Sequence, residues 1–258
     1  MSEPYKVFKY HQYKTGQWGS VESGVILEQE VSLTVNGEIW LSFMCTPVDL
    51  EALAVGFLFN EGLLNSVDEL VSVRVCPTMD NVDVWLNKSV ERPDTWRRTS
   101  GCGGGITHET IETTIPMRDP KDGIVLSTGK ISQLIGQLFD SQDLYKRVGG
   151  VHSSVLSDGQ KIVVMADDIG RHNTLDKIAG HCLLDRIKLD YSMLITTGRI
   201  SSEMLQKASR IGAAVVVSRS SPSSLAIEIA QREGIILIGY ARGNQFNAYT
   251  FPDLLDLE

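Results

Sequence analysis

Residues 161–240 read KIVVMADDIGRHNTLDKIAGHCLLDRIKLDYSMLITTGRISSEMLQKASRIGAAVVVSRSSPSSLAIEIAQREGIILIGY. Two patterns alternate along this stretch. KIVVMA, SMLITT, AAVVVS and IILIGY read as strands, and NTLDKIAGHCLL, SSEMLQKASRIG and SPSSLAIEIAQREG read as the helices between them. The first helix sets Leu175, Ile178, Ala179, Cys182 and Leu183 on one face. The third opens with Ser221 as cap and Pro222 at the first helical position, and stops at Gly234. Repeated strand-helix-strand units predict an α/β fold with a largely parallel sheet between helices.

Upstream the rhythm changes. KISQLIGQLF predicts a helix, and SSVLSDGQKIVVMA a hairpin turning at Asp158-Gly159. Nearer the start, VSLTVNG and EIWLSFMC alternate apolar and polar residues around Asn36-Gly37, a strong hairpin signal. A helix should follow, with Thr46 as N-cap, Pro47 at its first position and Asp49 at a capping-box-like spacing. Its apolar stripe is Leu50, Leu53, Ala54, Phe57 and Leu58, and Gly62 ends it. LVSVRVC and VDVWLN add strands. Pro, Gly and charge cluster at IPMRDPKDG, which divides a smaller α+β domain, residues 1–118, from the α/β domain, residues 119–258.

The 258 residues carry 32 acidic side chains against 24 Lys and Arg, a net charge of -8. That field argues against nucleic acid and anionic membrane as default partners. No apolar run approaches the ~18 residues of a membrane span, and MSEPYKVFKYHQYKTGQW lacks the apolar core of a signal peptide. A cytoplasmic protein is expected. The four cysteines, Cys45, Cys76, Cys102 and Cys182, are widely spaced with no C-x-x-C, which excludes zinc ribbons and thioredoxin-type pairs. No metal site is expected.

Ligands of open α/β sheets bind beyond the carboxyl ends of the strands. The loops there each bring one arginine: Arg171 in DDIGRHN, Arg199 after SMLITT, Arg219 after AAVVVS, and Arg242 in Tyr240-Ala241-Arg242-Gly243-Asn244-Gln245. Four guanidinium groups on one rim, beside helix N-termini, point to a pyrophosphate or dinucleotide-like polyanion. The competing reading pairs them with Asp167, Asp168 and Glu203. His152 and His172 flank the same loops, as ligand contacts or as structural hydrogen-bond partners.

A second constellation surrounds Cys102, in RRTSGCGGGITH, residues 97–108. Four glycines in five positions free the backbone, and Arg97, Arg98 and His108 are near enough in sequence to stabilise a thiolate. The loop matches neither a P-loop nor G-x-G-x-x-G. Cys45, Cys76 and Cys182 fall on apolar patterns and are expected to be core residues.

The stretches LTVNGE, ALAVGFLFNEGLL, RTSGCG, VGGVHSS, DDIGRHNTLDKIAG, TTGRISSEMLQKASRIGA, SSPSSLAIEIA and GYARGNQFNAYT resemble the FdhD family of formate dehydrogenase accessory proteins, over nearly the whole length. The resemblance implies a sulfur carrier. A cysteine, here Cys102, takes sulfur as a persulfide from a cysteine desulfurase and passes it to the molybdenum or tungsten bis(molybdopterin guanine dinucleotide) cofactor before insertion into formate dehydrogenase. It assigns Tyr240, Ala241, Arg242, Gly243, Asn244 and Gln245 to the cofactor's guanine nucleotide, and implies a homodimer.

Family members often carry C-G-x-C-G. Here Gly105 stands at the second cysteine, so a persulfide rests on Cys102 alone. The second half is similar to cytidine deaminases, but His152-Ser153-Ser154 and Pro222-Ser223-Ser224-Leu225 lack the glutamate and thiolates of that chemistry. A non-catalytic molybdenum-cofactor chaperone is the alternative, and a Cys-nucleophile enzyme acting on a small nucleotide ranks last.

Overall fold

Two long strands lead the chain. In the computed structural model, which describes residues 3–93, 96–98, 106–108, 126–188 and 192–256, β1 (Tyr5–Lys14) and β2 (Gln17–Ile26) pair antiparallel as a two-stranded hairpin. A second hairpin joins β3 (Gln29–Val35) to β4 (Glu38–Cys45). Its turn is the expected one: Asn36 and Gly37 take φ of 49° and 86°, as a type I′ turn requires. With β5 (Leu70–Val75) and β6 (Asn81–Leu86) they form a sheet in the order β4-β3-β6-β5. Helix α1 (Leu50–Asn60) closes this sheet, packing Leu53, Phe57 and Leu58 with Val31, Leu33 and Val84.

The expected start of α1 is not the observed one. Asp49 occupies the N-cap position at φ 50° with no side-chain cap. Thr46 is committed elsewhere: its N–H donates to Asp168 Oδ2 at 3.2 Å and its Oγ1 accepts from Ile169 N at 3.2 Å. β7 (Trp96–Arg98) and β8 (Ile106–His108) make a short antiparallel pair, and β9 (Leu126–Ser127) precedes α2 (Thr128–Ser141) and α3 (Asp143–Val148).

The remainder runs β10 (His152–Ser157), β11 (Ile162–Asp168), α4 (Arg171–Leu184), β12 (Ser192–Thr196), α5 (Ser202–Ile211), β13 (Ala213–Ser218), α6 (Ser224–Glu233), β14 (Ile236–Arg242), β15 (Gln245–Ala248) and β16 (Leu255–Asp256), the last pairing with β9. Its six-stranded sheet has the order β11-β10-β12-β13-β14-β15. The α/β class stands, but the sheet is mixed rather than largely parallel. β12–β13 and β13–β14 are parallel, whereas β10 is antiparallel to both neighbours and β15 to β14. The tight turns at Asp158-Gly159 and Gly243 impose this, because a short hairpin loop can only reverse a strand. Helix α2 covers one face through Ile131, Leu134 and Leu138, and α4, α5 and α6 cover the other through Leu175, Met204 and Ile229.

Helix α4 is buried from Arg171 to Gly180, on every side rather than along one stripe. It lies between the six-stranded sheet and α1, and the two helices touch backbone to backbone. A Cβ added at Gly56 would overlap the Asp176 carbonyl, and one at Gly180 the Ala52 carbonyl. Lys177, fully buried, bonds Asp168 Oδ2 at 2.7 Å and the carbonyls of Thr46 and Asp167. Among the described residues no helix is long and apolar enough to cross a membrane.

Candidate functional site

Because β10 opposes both β11 and β12, the strands β11, β12, β13 and β14 all run the same way. Their carboxyl ends open on one edge, together with the first residues of β10 and β15. Among the described residues, two adjoining cavities lie along this edge.

The larger, about 430 Å³, is walled by Arg219 and Ser220 after β13, Tyr240 and Arg242 at the end of β14, and Thr197 after β12. His152 closes one side, and Gln142, Tyr145 and Val151 come from the α2–α3 region. The Arg219 guanidinium stacks on the Phe139 ring at 5.1 Å, which holds it at the rim. Tyr240 takes φ 53°, a conformation that side chains other than glycine rarely adopt, while its N–H donates to Ser220 O at 3.0 Å. The ring is about half exposed. Strained, exposed residues of this kind concentrate at functional sites.

The smaller cavity, about 300 Å³, is bounded by Arg171, Arg199, Ser201 and Ser223. Ser201 and Ser223 are the N-caps of α5 and α6, so the positive ends of two helix dipoles face it. Ser223, not the expected Ser221, caps α6. Residues 221–223 are extended instead, with Ser221 O accepting from Ile200 N and Ser223 N donating to Ile200 O. The cavities adjoin: Thr197 and Arg199 flank Gly198, and Ser220 and Ser221 are consecutive.

Buried hydroxyls fix this wall. Ser154 Oγ bonds Thr174 Oγ1 at 2.6 Å and donates to Thr196 Oγ1 at 2.8 Å. Thr196 Oγ1 accepts from Gly198 N, and Ser218 Oγ donates to Gly198 O at 2.6 Å. Gly198 must be glycine, since a Cβ would fall 2.9 Å from the Arg171 Cβ.

The four arginines therefore divide two and two rather than forming one ring. Among the described residues that line either cavity there is no carboxylate. The acids named as competitors are engaged elsewhere or lie off the cavities: Asp168 with Lys177 and Asn173, Glu203 with His172 and Ser201. His172 lines neither cavity. It is buried, with Nε2 3.5 Å from Ser201 Oγ and 3.7 Å from Glu203 Oε2. Its hydrogen bond brings the Glu203 carboxyl down to about 2. Burial holds His172 itself below the ordinary imidazole range, and burial with the Arg171 charge does the same to His152. Both rings are neutral at pH 7. Ala241 is buried within β14, Gly243 and Asn244 form the exposed turn, and the exposed Gln245 opens β15, paired with Arg242.

Tyr145 and Gln142 escaped the sequence reading, because they come from outside the strand-end loops. Cys102 and its glycines lie outside the described residues. Of the other thiols, Cys45 is buried and pushed up to about 12 by burial, and Cys182 is half-buried and raised to about 11. Cys76 is not a core residue. It sits in a turn, its Sγ donating to Asp80 Oδ1 at 2.9 Å and accepting from Asn81 N.

A rim of guanidinium groups, dipole ends and exposed tyrosine rings can hold phosphates and stack a planar base. Comparison with known proteins bears on which ligand that is. Residues 26–256 match the model of the FdhD/NarQ family. The sulfur carrier protein FdhD of Bacillus pumilus is 35% identical over 244 residues, covering 93% of each chain. That of Bacillus subtilis is 32% identical over 246 residues, covering 94% of each. A crystal structure described as that of a formate dehydrogenase accessory protein from Desulfotalea psychrophila matches with a TM-score of 0.82 and 28% identity, over 98% of this chain and 100% of that one.

Proposed function

The chain belongs to the FdhD/NarQ family, and from that premise we propose that it carries sulfur to the bis(molybdopterin guanine dinucleotide) cofactor destined for formate dehydrogenase. Cys102 is the carrier. Its thiolate attacks the outer sulfur of a persulfide on a cysteine desulfurase; the new S–S bond forms as the donor's breaks, and the donor leaves as thiolate. The cofactor is the substrate of the second transfer: the S–S bond of the Cys102 persulfide breaks, Cys102 leaves as thiolate, and the two electrons that take the outer sulfur to sulfide come from the reduced metal of the cofactor. With Gly105 in place of a second cysteine, no neighbouring thiol in that motif competes for the persulfide. This work belongs in the cytoplasm, on a deaminase-like sandwich (residues 119–258) preceded by a smaller domain (residues 1–118).

The observation that carries the reading is the cavity lined by Arg219, Tyr240, Arg242 and His152, with no carboxylate among its described lining residues. Two of these are in the segment that the resemblance assigned to the guanine nucleotide. A guanine diphosphate arm needs cations for its phosphates and a flat surface for its base, and these side chains supply both. The Arg171 and Arg199 cavity next to it suits further phosphate charge of the same ligand.

Incubation with a cysteine desulfurase and cysteine, followed by intact-mass measurement and peptide mapping, tests the carrier. One added sulfur on Cys102 is expected, and none on Cys102→Ala. No adduct in the wild type, with GDP binding retained, would leave the chain as a cofactor chaperone. Restoration of formate dehydrogenase activity by Cys102→Ala would sink the transfer role.

A further inference from the structure

Gln142 reaches the larger cavity from the α2–α3 junction rather than from a strand end. It follows the last residue of α2 and stands at the N-cap position of α3, yet it is only 4% exposed. Its side chain does not cap α3 but turns to β10, where Nε2 donates to Ser153 Oγ at 2.8 Å.

This bond sets which end of the amide faces the cavity. A primary amide has an acceptor oxygen and a donor nitrogen, and only one of them can turn towards Ser153. Ser153 is fully buried and stands across the β10–β11 ladder from Asp167. Burial raises the Asp167 carboxyl, and the Ser153 hydroxyl opposes this as a hydrogen-bond donor. With its proton committed there, Ser153 Oγ is left to accept, and Gln142 Nε2 is what it accepts from. The amide oxygen is then the free end. Among the described residues nothing bonds Gln142 Oε1, and it is not sealed away from the cavity that the residue lines. A deeply buried side chain thus presents one acceptor that a ligand must satisfy.

The neighbouring side chains decide what kind of donor it meets. Tyr145, in α3, and Tyr240 put two half-exposed rings on the same cavity, and Val151 adds an apolar contact, so a flat heterocycle is suited to lie here. Among the common bases guanine alone sets two donors side by side, N1–H and the 2-amino group, and both can converge on one carbonyl oxygen. Adenine and cytosine place an amino group beside an acceptor nitrogen, which a second acceptor repels. We infer that Gln142 determines base specificity: its Oε1 accepts from guanine N1–H and the 2-amino group, and Ser153 holds the amide in the orientation that allows it. The role rests on the larger cavity being the nucleotide site, and it names the group there that tells guanine from other bases.

Calorimetric titration of the full chain with GDP and with inosine diphosphate, which lacks only the 2-amino group, tests it, with far-UV circular dichroism as the folding control. The wild type should bind GDP ~5-fold or more tighter than inosine diphosphate, the worth of one hydrogen bond. Gln142→Met keeps the length of the side chain but leaves only a weak thioether acceptor. It should weaken GDP ~10-fold and bring the two nucleotides within ~2-fold of each other. Gln142→Glu keeps an acceptor oxygen. Its charge should weaken both nucleotides by repelling their phosphates, yet preserve the preference for GDP. Ser153→Ala frees the amide to turn and should narrow that preference without changing the cavity's arginines. Equal affinities of the wild type for the two nucleotides overturn the role while leaving the cavity a nucleotide site. A preference that survives whole in Gln142→Met also overturns it, because a residue that merely supports the α2–α3 junction would weaken both nucleotides alike. A wild type that binds neither nucleotide removes the role and the nucleotide reading of the cavity together.

Discussion

His181 shows how neighbours decide what a histidine does. It lies near the end of α4, with Nε2 3.7 Å from Asp49 Oδ2 and Nδ1 3.7 Å from Asp185 Oδ2. The Asp49 contact, against an opposing effect of burial, raises its affinity for the proton, while Asp49 is held below the usual carboxylate range. Because the folded-state value is raised, the stabilisation is complete below the unfolded imidazole value of about 6.5 and is lost as pH rises through the folded value. His181→Asn should therefore cost stability at about pH 6 and become neutral at about pH 9. Urea melts of both proteins at the two pH values check this, and an equal cost at both would refute the pairing. His152 and His172 shift the opposite way, because burial outweighs their acidic neighbours. Nothing in GGVHSS, GRHN or AGHC distinguishes these three cases, since the deciding atoms are remote in sequence. Cys76 is a similar case: an apolar run before it suggested core, but the turn that follows supplies its partners within five residues.

At the scale of elements, the α1–α4 contact joins the two sheets. Gly56 and Gly180 permit the approach, and the buried pairs Lys177–Asp168 and Lys207–Asp176, each at 2.7 Å, bracket it. Gly56→Ala puts a methyl group into the Asp176 carbonyl, which cannot yield without moving α4. It should destabilise the protein by about 3 kcal/mol or more, although alanine is the better helix former. Thermal melts decide the matter, and an unchanged or raised Tm would mean that the helices do not cross this closely. The elements themselves were legible because their signals are local. Asn36-Gly37 dictates its turn, and helical spacing marks α2 and α5. Their ends and directions were less legible. Thr46 and Ser221 have cap chemistry but are claimed by partners 122 and 21 residues away in sequence, Asp168 and Ile200. The strand-helix-strand rhythm concealed two reversals, although Asp158-Gly159 had already announced one of them.

The whole molecule sets a basic rim, with no carboxylate among its described lining residues, on a chain of net charge -8. The rim was legible from the strand-end loops because parallel strand ends gather whatever follows them. Its division was not, since the separation depends on how Gly198 and Ser220–Ser221 fold between the pairs. That division has a measurable consequence. A single guanine nucleotide has one base and one pyrophosphate, enough to occupy the larger cavity beside Tyr240 and Tyr145. Arg242→Ala should raise the dissociation constant for GDP tenfold or more, since a charge-assisted contact to phosphate is worth ~1.5–3 kcal/mol. Arg199→Ala, facing the neighbouring cavity, should change it by less than ~3-fold. Because phosphate contacts are screened by salt, the Arg242→Ala penalty should shrink as salt is raised, while the Arg199→Ala value stays flat. Calorimetric titration of GDP into the three proteins at two salt concentrations measures all of this. Equal losses in the two variants would show that the arginines act on one nucleotide together, and undiminished binding after Arg242→Ala would remove the larger cavity from the candidate site.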